Sequence, residues 1–281
     1  MKIKLSAFIF LFAFLAAGSA FAMPSDADSN TYQLKGLFGD VIPGVAIGFG
    51  GSGDFILDRN LEDASDLEAT FYGGNIYVDP HEQVHLNLFL GAGDIKLGNV
   101  PIDNGNTETK AELETETDFA IGASGKVDVF SFPLFPDEPN SWIFVSGGYR
   151  YTHPDVDEVT RGGFVAADPT FTMNIEYSEW MATIGWSQAF TKWIEGVTFM
   201  PYVGAQYSDV RVDRNGVGKF LTQAQPNGQN QSVLTDDPNG DDVVNVICGI
   251  QILGFDNQLS VAVEGRFVAE TAVSVSGHLR W

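Results

Sequence analysis

The fold is decided by nine residues at the C-terminus, Val273-Ser274-Val275-Ser276-Gly277-His278-Leu279-Arg280-Trp281. Their odd-numbered positions hold apolar side chains or glycine, and their even-numbered positions hold serine, histidine or arginine. Successive side chains of a β-strand point to opposite faces of its sheet, so a period of two predicts a strand with one apolar and one polar face. The segments upstream have to provide the strands with which this one pairs.

The same alternation recurs along the chain, between runs rich in Gly, Asp, Asn and Pro. The clearest examples are 244–252 and 259–267, whereas 45–51 and 70–79 are weaker because they are rich in glycine. We predict about ten strands, with eight or twelve as the alternatives. No stretch of about eighteen apolar residues follows residue 23, so we expect no transmembrane helix after that point.

The polar faces of these segments indicate what kind of sheet they form. In a soluble sandwich, two apolar faces meet and the charged face needs no small residues. Here the polar faces consist of Gly, Ser, Ala and Thr with single charged residues among them. Inside a narrow barrel, small residues make room for a few long charged ones, and the apolar face contacts lipid. The pattern favours an all-β fold, a transmembrane antiparallel up-and-down β-barrel over residues 44–281.

Connector lengths support the same topology. Long connectors at 52–69, 98–116, 154–170 and 212–242 alternate with short ones, and only the last long-side connector, Ala269-Glu270-Thr271, is short. Membrane barrels have short periplasmic turns and long extracellular loops, so we predict acidic extracellular loops. Aromatic residues near both strand ends predict two interfacial belts. We assign to the outer belt Tyr72, Tyr149, Tyr151, Tyr177, Trp180 and Tyr207, and to the inner belt Trp142, Trp186, Phe190, Trp193, Phe199, Tyr202 and Trp281.

The N-terminus predicts export. Lys2 and Lys4 precede an apolar run from Leu5 to Ala17, and the small-x-small pattern of Ala20-Phe21-Ala22 follows it. These are the parts of a signal peptide, so we predict that residues 1–22 are cleaved and that 23–43 form a periplasmic segment.

Composition excludes several classes of function. The chain has 15 basic and 37 acidic residues and a net charge of −22, so it has no basic surface for nucleic acid. Cys248 is the only cysteine, so no disulfide can form within the chain.

The C-terminal nonapeptide, together with the leader and the strand pattern, resembles small Gram-negative outer-membrane β-barrel proteins of porin-like type. The resemblance implies Sec-type export, insertion by the barrel-assembly machinery, and contact with outer-membrane lipid and lipopolysaccharide. It also implies that Trp281 and Leu279 belong to the C-terminal assembly signal. Phenylalanine is the usual last residue of that signal, and Trp281 departs from it.

The polar faces provide the candidate site. They carry seven ionisable residues predicted to face the barrel interior: Lys126, Asp128, Arg150, Glu264, Arg266, His278 and Arg280. A three-residue final loop would place Glu264 opposite Ser276. Buried charges have to be paired or hydrated, so these side chains form either a structural ion-pair network or a polar path for small solutes.

Other chemistry finds little support. Omptin-like proteases are also ten-stranded barrels, but only His153 with Asp155 and Asp157 offers a local His–Asp set here. Gly122-Ala123-Ser124-Gly125 lacks the spacing of a G-x-S-x-G nucleophile motif. We therefore expect no catalytic residues, no cofactor and no metal site.

The sequence thus predicts an outer-membrane β-barrel with a structural or narrow-pore role. The alternative is an adhesin or interaction protein whose acidic loops bind a partner while the barrel serves as an anchor. The sequence makes no prediction of the oligomeric state.

Overall fold

The computed structural model describes residues 45–61, 66–81, 83–103, 108–135, 138, 141–161, 164–165, 174–215, 242–255 and 258–280. The predicted signal peptide, the segment 23–43 and Trp281 lie outside these ranges. No helix within them is long and apolar enough to cross a membrane.

The described residues form fourteen strands. They are β1 (Ala46–Asn60), β2 (Asp66–His81), β3 (Val84–Asp103), β4 (Glu108–Thr115), β5 (Asp118–Phe132), β6 (Ser141–Thr152), β7 (Val156–Arg161), β8 (Phe164–Val165), β9 (Asn174–Gln188), β10 (Phe190–Ile194), β11 (Val197–Asn215), β12 (Asp242–Gly254), β13 (Leu259–Phe267) and β14 (Glu270–Arg280).

Ten of these strands close into an antiparallel barrel. Its cyclic order is β1, β2, β3, β5, β6, β9, β11, β12, β13 and β14, and β14 pairs back onto β1. The predicted antiparallel β-barrel and its strand number are confirmed. We call the end with the β1–β2 and β11–β12 connections the long-loop end, and the end with the β2–β3 and β12–β13 turns the short-turn end.

Side chains alternate between the two faces of the barrel wall as the sequence pattern predicts. On β12, Val244, Val246, Cys248 and Ile250 are exposed on the outer face, while Asn245 and its inward-facing neighbours are buried. The apolar outer face suits lipid, and closure of the sheet leaves no unpaired strand edge within it.

Three of the predicted loops are largely strand. Residues 52–69 mostly extend β1 and β2, 98–116 contains the end of β3 and all of β4, and 154–170 contains β7 and β8. Beyond the barrel wall, β3, β4, β7 and β8 form a sheet at the long-loop end. Charged residues on the exposed face made these segments resemble loops, although the period of two continues through them. In the fourth loop, 216–241 lie outside the described residues.

The interior of the barrel is apolar at the long-loop end. The sequence analysis predicted a polar lumen and no apolar region within it. Inward-facing side chains there form one buried cluster, which we call the apolar cap. Its members include Ile56, Leu67, Phe71, Phe89, Ile95, Leu97, Leu113, Ile175 and Tyr177. Burial of these side chains stabilises the barrel from the inside, in addition to the stabilisation that contact with lipid provides on the outside.

Three aromatic residues assigned to the belts instead point inward. Trp142, Tyr177 and Tyr202 are 6%, 0% and 3% exposed. The reason is strand parity, since Trp142 lies on the same side of β6 as Arg150, and Tyr177 lies on the same side of β9 as Glu179. Outward belts remain at both ends, where Tyr149 packs on Trp180 with ring centroids 4.6 Å apart, and Phe190 packs on Trp193 at 4.9 Å.

Candidate functional site: the charged interior

Six buried charged side chains form a closed ring across the barrel, which we call the charge ring. In order, its members are Asp54, Arg150, Glu179, Arg59, Glu270 and Arg266. Asp54 pairs with Arg150 and lies 2.7 Å from Arg266. Glu179 pairs with Arg150 and lies 3.4 Å from Arg59. Glu270 closes the ring at 3.1 Å from Arg59 and 2.6 Å from Arg266.

The ring satisfies the conditions for burying charge. It contains three arginines and three carboxylates, so it is neutral, and its side chains are between 0% and 2% exposed. Neutral groups complete the hydrogen bonding: Ser274 Oγ donates to Asp54 at 2.8 Å, and Tyr177 OH donates to Glu179 at 2.9 Å. Alternating charges with added hydrogen bonds offset the cost of removing each ion from water.

The charge ring spans the full width of the lumen. In the cyclic strand order, β9 is five strands from β1 in both directions, so these strands face each other across the barrel. Arg59 on β1 therefore reaches Glu179 on the opposite wall. On the long-loop side of the ring, the Phe71 ring of the apolar cap lies 4.1 Å from the Arg150 guanidinium carbon. Ion pairs and the apolar cap together occlude the barrel at this level.

A second set of charges follows one wall toward the short-turn end. This wall network runs from Arg280 through Asp79, His85 and Asp128 to Lys126. His85 Nδ1 lies 2.9 Å from Asp79 Oδ1, and its Nε2 lies 3.7 Å from Asp128 Oδ2. Arg280 Nε is 3.5 Å from Asp79, and Lys126 Nζ is 3.1 Å from Asp128. The network links strands β14, β2, β3 and β5.

The opposite wall at this level is apolar. Its buried cluster contains Trp142, Phe144, Ala189, Met200, Tyr202, Ile247 and Leu253. The two walls meet where Lys126 Nζ lies 5.3 Å from the centroid of the Phe144 ring. Tyr202 OH also donates to Glu264 at 2.9 Å.

A small cavity lies on the short-turn side of the charge ring. Its volume is about 50 Å³, and polar side chains from β2, β3, β5, β6, β9, β11 and β14 line it. Its basic lining residues are His85, Lys126 and Arg280. A volume of this order holds a few water-sized groups, since a water needs roughly 10–15 Å³ by this measure.

The structure places all seven candidate residues inside the barrel, but in different groups. Arg150 and Arg266 belong to the charge ring, and Lys126, Asp128 and Arg280 belong to the wall network. Glu264 contacts Tyr202, and the His278 ring packs on Tyr77 with centroids 4.3 Å apart. Glu264 pairs with Ser274, not Ser276, because Glu270 already belongs to β14 and the final turn is shorter than three residues.

Six interior charged residues were missed by the sequence analysis: Asp54, Arg59, Asp79, His85, Glu179 and Glu270. Asp54 and Arg59 fell in a predicted loop, and Glu270 fell in the predicted final turn. The inward position of Glu179 could have been predicted from strand parity, because Glu179 lies on the same side of β9 as Thr183. The inward position of Arg59 could not have been predicted in this way. An irregularity in β1 between Ile56 and Arg59 changes the face of the strand on which Arg59 lies.

The His153 set shows no catalytic arrangement in the part of the chain that the structure describes. Asp155 and Asp157 are exposed, and the Asp155 carbonyl accepts a hydrogen bond from Glu116 N at 2.8 Å. Among the described residues, no group of three or more His, Cys, Asp or Glu side chains could hold a metal ion.

Comparison with known proteins gives no family model and no curated relative that matches the chain. The solved structures to which it is similar include the following three. The translocator domain of the autotransporter NalP from Neisseria meningitidis has a TM-score of 0.38 and 8% identity, over 99% of this chain and 96% of that one. The transport unit of the autotransporter AIDA-I from Escherichia coli has a TM-score of 0.31 and 11% identity, over 96% of each chain.

The third is an outer-membrane channel from Pseudomonas putida F1, with a TM-score of 0.39 and 8% identity, over 91% of this chain and all 100% of that one. Agreement at this level says nothing about a shared activity. The chain resembles bacterial outer-membrane β-barrel proteins, and none of these matches assigns it to a subfamily.

Proposed function

We propose that this protein is a closed outer-membrane barrel whose charged interior is structural and sustains no steady flow of solutes. The charge ring carries this proposal, because it joins opposite walls of the barrel through six buried side chains. A narrow pore would need a continuous polar path, yet the apolar cap, whose Phe71 packs on Arg150 of the ring, fills the interior at the long-loop end.

The energetic cost of moving an ion through the barrel supports the same proposal. A hydrated ion entering from the short-turn end meets arginines and carboxylates that already neutralise each other. To pass, it has to break buried ion pairs and then cross the apolar cap, where an unpaired charge is strongly disfavoured. Ten strands also enclose little more than their own side chains.

Single-channel recording tests the closed state. Wild-type protein in planar bilayers is expected to show no steady unitary conductance. Glu264→Ala should stay closed, because Glu264 lies outside the charge ring. Arg266→Ala combined with Phe71→Ala should raise the conductance, because it removes two contacts of the ring and the side chain of the apolar cap that packs on it. Heat-modifiable migration on a gel establishes that each variant is folded. A large, stable conductance of the wild type would contradict the proposal.

The second candidate function is that of a surface adhesin or interaction protein. It is favoured by the sheet at the long-loop end, which carries exposed carboxylates at Glu112 and Glu114, with a third at Glu116 directly after β4. The apolar cap holds this sheet in place through inward residues such as Leu113 and Val159. A silent barrel with such a face is consistent with an anchor for a binding surface, whereas conductance would favour the narrow pore.

We also propose that Leu279 and Trp281 act as the assembly signal. Leu279 is 52% exposed on the outer face of β14, in phase with the terminal residue that follows it by two positions. Trp281→Asp is expected to leave the protein in the periplasm, while Trp281→Phe should assemble normally, as judged by membrane fractionation. Normal outer-membrane levels of the aspartate variant would contradict this role.

A further inference from the structure

The cavity on the short-turn side of the charge ring has an unusual lining. Among the described residues, its lining contains three basic residues, His85, Lys126 and Arg280, and no carboxylate. The other polar residues that line it carry hydroxyl or amide groups: Tyr77, Asn87, Ser124, Ser146, Thr183 and Gln206. The carboxylates of the wall network, Asp79 and Asp128, pair with these basic groups and do not line the cavity. The chemistry facing the cavity is therefore rich in hydrogen-bond donors.

We propose that this cavity binds a small inorganic anion of the halide class. Lys126 of β5, Arg280 of β14, Ser146 of β6 and Thr183 of β9 all line it, and the donors that these side chains carry suit a compact negative ion. The cavity lies within the ten-strand wall and below the charge ring, so an ion here is held rather than conducted. The proposal adds a ligand to the closed barrel and does not depend on a pore.

Size limits the class of ligand. The volume of about 50 Å³ is far below the roughly 300 Å³ at which pockets for organic ligands begin. A monatomic halide with a few waters is of the right order, because a water needs roughly 10–15 Å³ by this measure. Sugars, nucleotides and peptides are too large.

Charge balance links anion binding to His85. In the wall network, Lys126 and Arg280 balance Asp128 and Asp79, so an added anion brings one uncompensated negative charge. His85 lines the cavity and contacts both carboxylates, so a proton taken up by its ring would restore neutrality. The charged groups that face His85 are thus Asp79 and Asp128, with Lys126 and Arg280 as their ion-pair partners.

The test compares bromide with gluconate, which is too large for the cavity, at equal ionic strength. A ligand that binds only the folded state raises its stability, so the thermal midpoint of the folded barrel should be higher in bromide. The rise should be larger at about pH 5.5 than at about pH 8, on either side of the usual histidine value of about 6.5. Crystals grown in bromide should show anomalous scattering inside the cavity.

Variants separate binding from general salt effects. Thr183→Val keeps the side-chain shape and removes one lining hydroxyl, and Lys126→Met removes a lining charge, so both should reduce the bromide shift. Arg211→Ala, at a side chain that is 74% exposed, should keep the full shift. Equal midpoints in bromide and gluconate, an unchanged shift in Thr183→Val, or a cavity that contains only water would each overturn the proposal.

Discussion

Replacing Asp54 with alanine is expected to lower the free energy of unfolding by about 3–5 kcal/mol, the range found when one partner of a buried ion pair is removed. Asp54 is fully buried and pairs with both Arg150 and Arg266. Its loss leaves the ring with three arginines and two carboxylates, a net positive charge in a site without water access. The unfolding midpoint in urea, followed by heat-modifiable migration, measures the effect.

A double variant shows whether neutrality of the ring is the cause. Asp54→Ala with Arg266→Met removes two adjacent members and leaves two arginines and two carboxylates, which still alternate. It should be more stable than Asp54→Ala alone, a strong departure from additivity. As a surface control, Glu114→Ala breaks the exposed 2.9 Å pair with Lys96 and should cost less than about 1 kcal/mol. Equal losses at Asp54 and Glu114 would contradict the structural role of the ring.

Strand pattern and facing were predictable because both depend only on local alternation. A residue's face follows from its parity within a strand, so Arg150 and Arg266 could be placed inside the barrel without knowing their partners. The same rule explains why Cys248 was correctly placed on the outer face.

The partners themselves could not be predicted, because they depend on closure of the barrel. Asp54 and Arg266 are 212 positions apart, and their contact exists only because β14 pairs back onto β1. Arg59 and Glu179 meet across the lumen, which no local pattern encodes. The irregularity in β1 also changes the side of the strand on which Arg59 lies.

The apolar cap was missed for a different reason. Leu67, Ala69 and Phe71 alternate with polar residues on β2, but acidic neighbours such as Glu68 made this stretch resemble a loop. In a strand that extends beyond the membrane, charges on the outer face contact water, so they do not argue against strand structure. For this segment, the alternation of apolar and polar residues predicts the strand correctly, whereas the density of charged residues does not.

Replacing Gly50 with alanine is expected to prevent closure between the first and last strands. A Cβ atom at Gly50 would lie 2.2 Å from the Gly277 carbonyl oxygen and 2.6 Å from His278 Cβ. The carbonyl belongs to the β14 backbone, so a change of rotamer cannot relieve the contact. Because Gly50 has no side chain, the His278 ring can extend across β1 and pack on Tyr77 of β2, with ring centroids 4.3 Å apart. Gly50→Ala prevents this close approach of β14 to β1, so the variant should not reach the compact, heat-modifiable form.

Gly74 of β2 is the matched control. An alanine Cβ there meets nothing nearer than 3.8 Å, so Gly74→Ala should assemble like the wild type. A cysteine pair at Phe55 and Val273, which are partners across the β1–β14 seam, reports closure directly when placed in a Cys248→Ser background. Directly opposed Cβ atoms lie about 4.5–5.5 Å apart, close enough for a disulfide to form with a small adjustment. The disulfide should form with Gly74→Ala and fail with Gly50→Ala, since only the latter forces the last strand away from the first. Equal disulfide yields in the two variants would show that β1 and β14 close without the space that Gly50 provides.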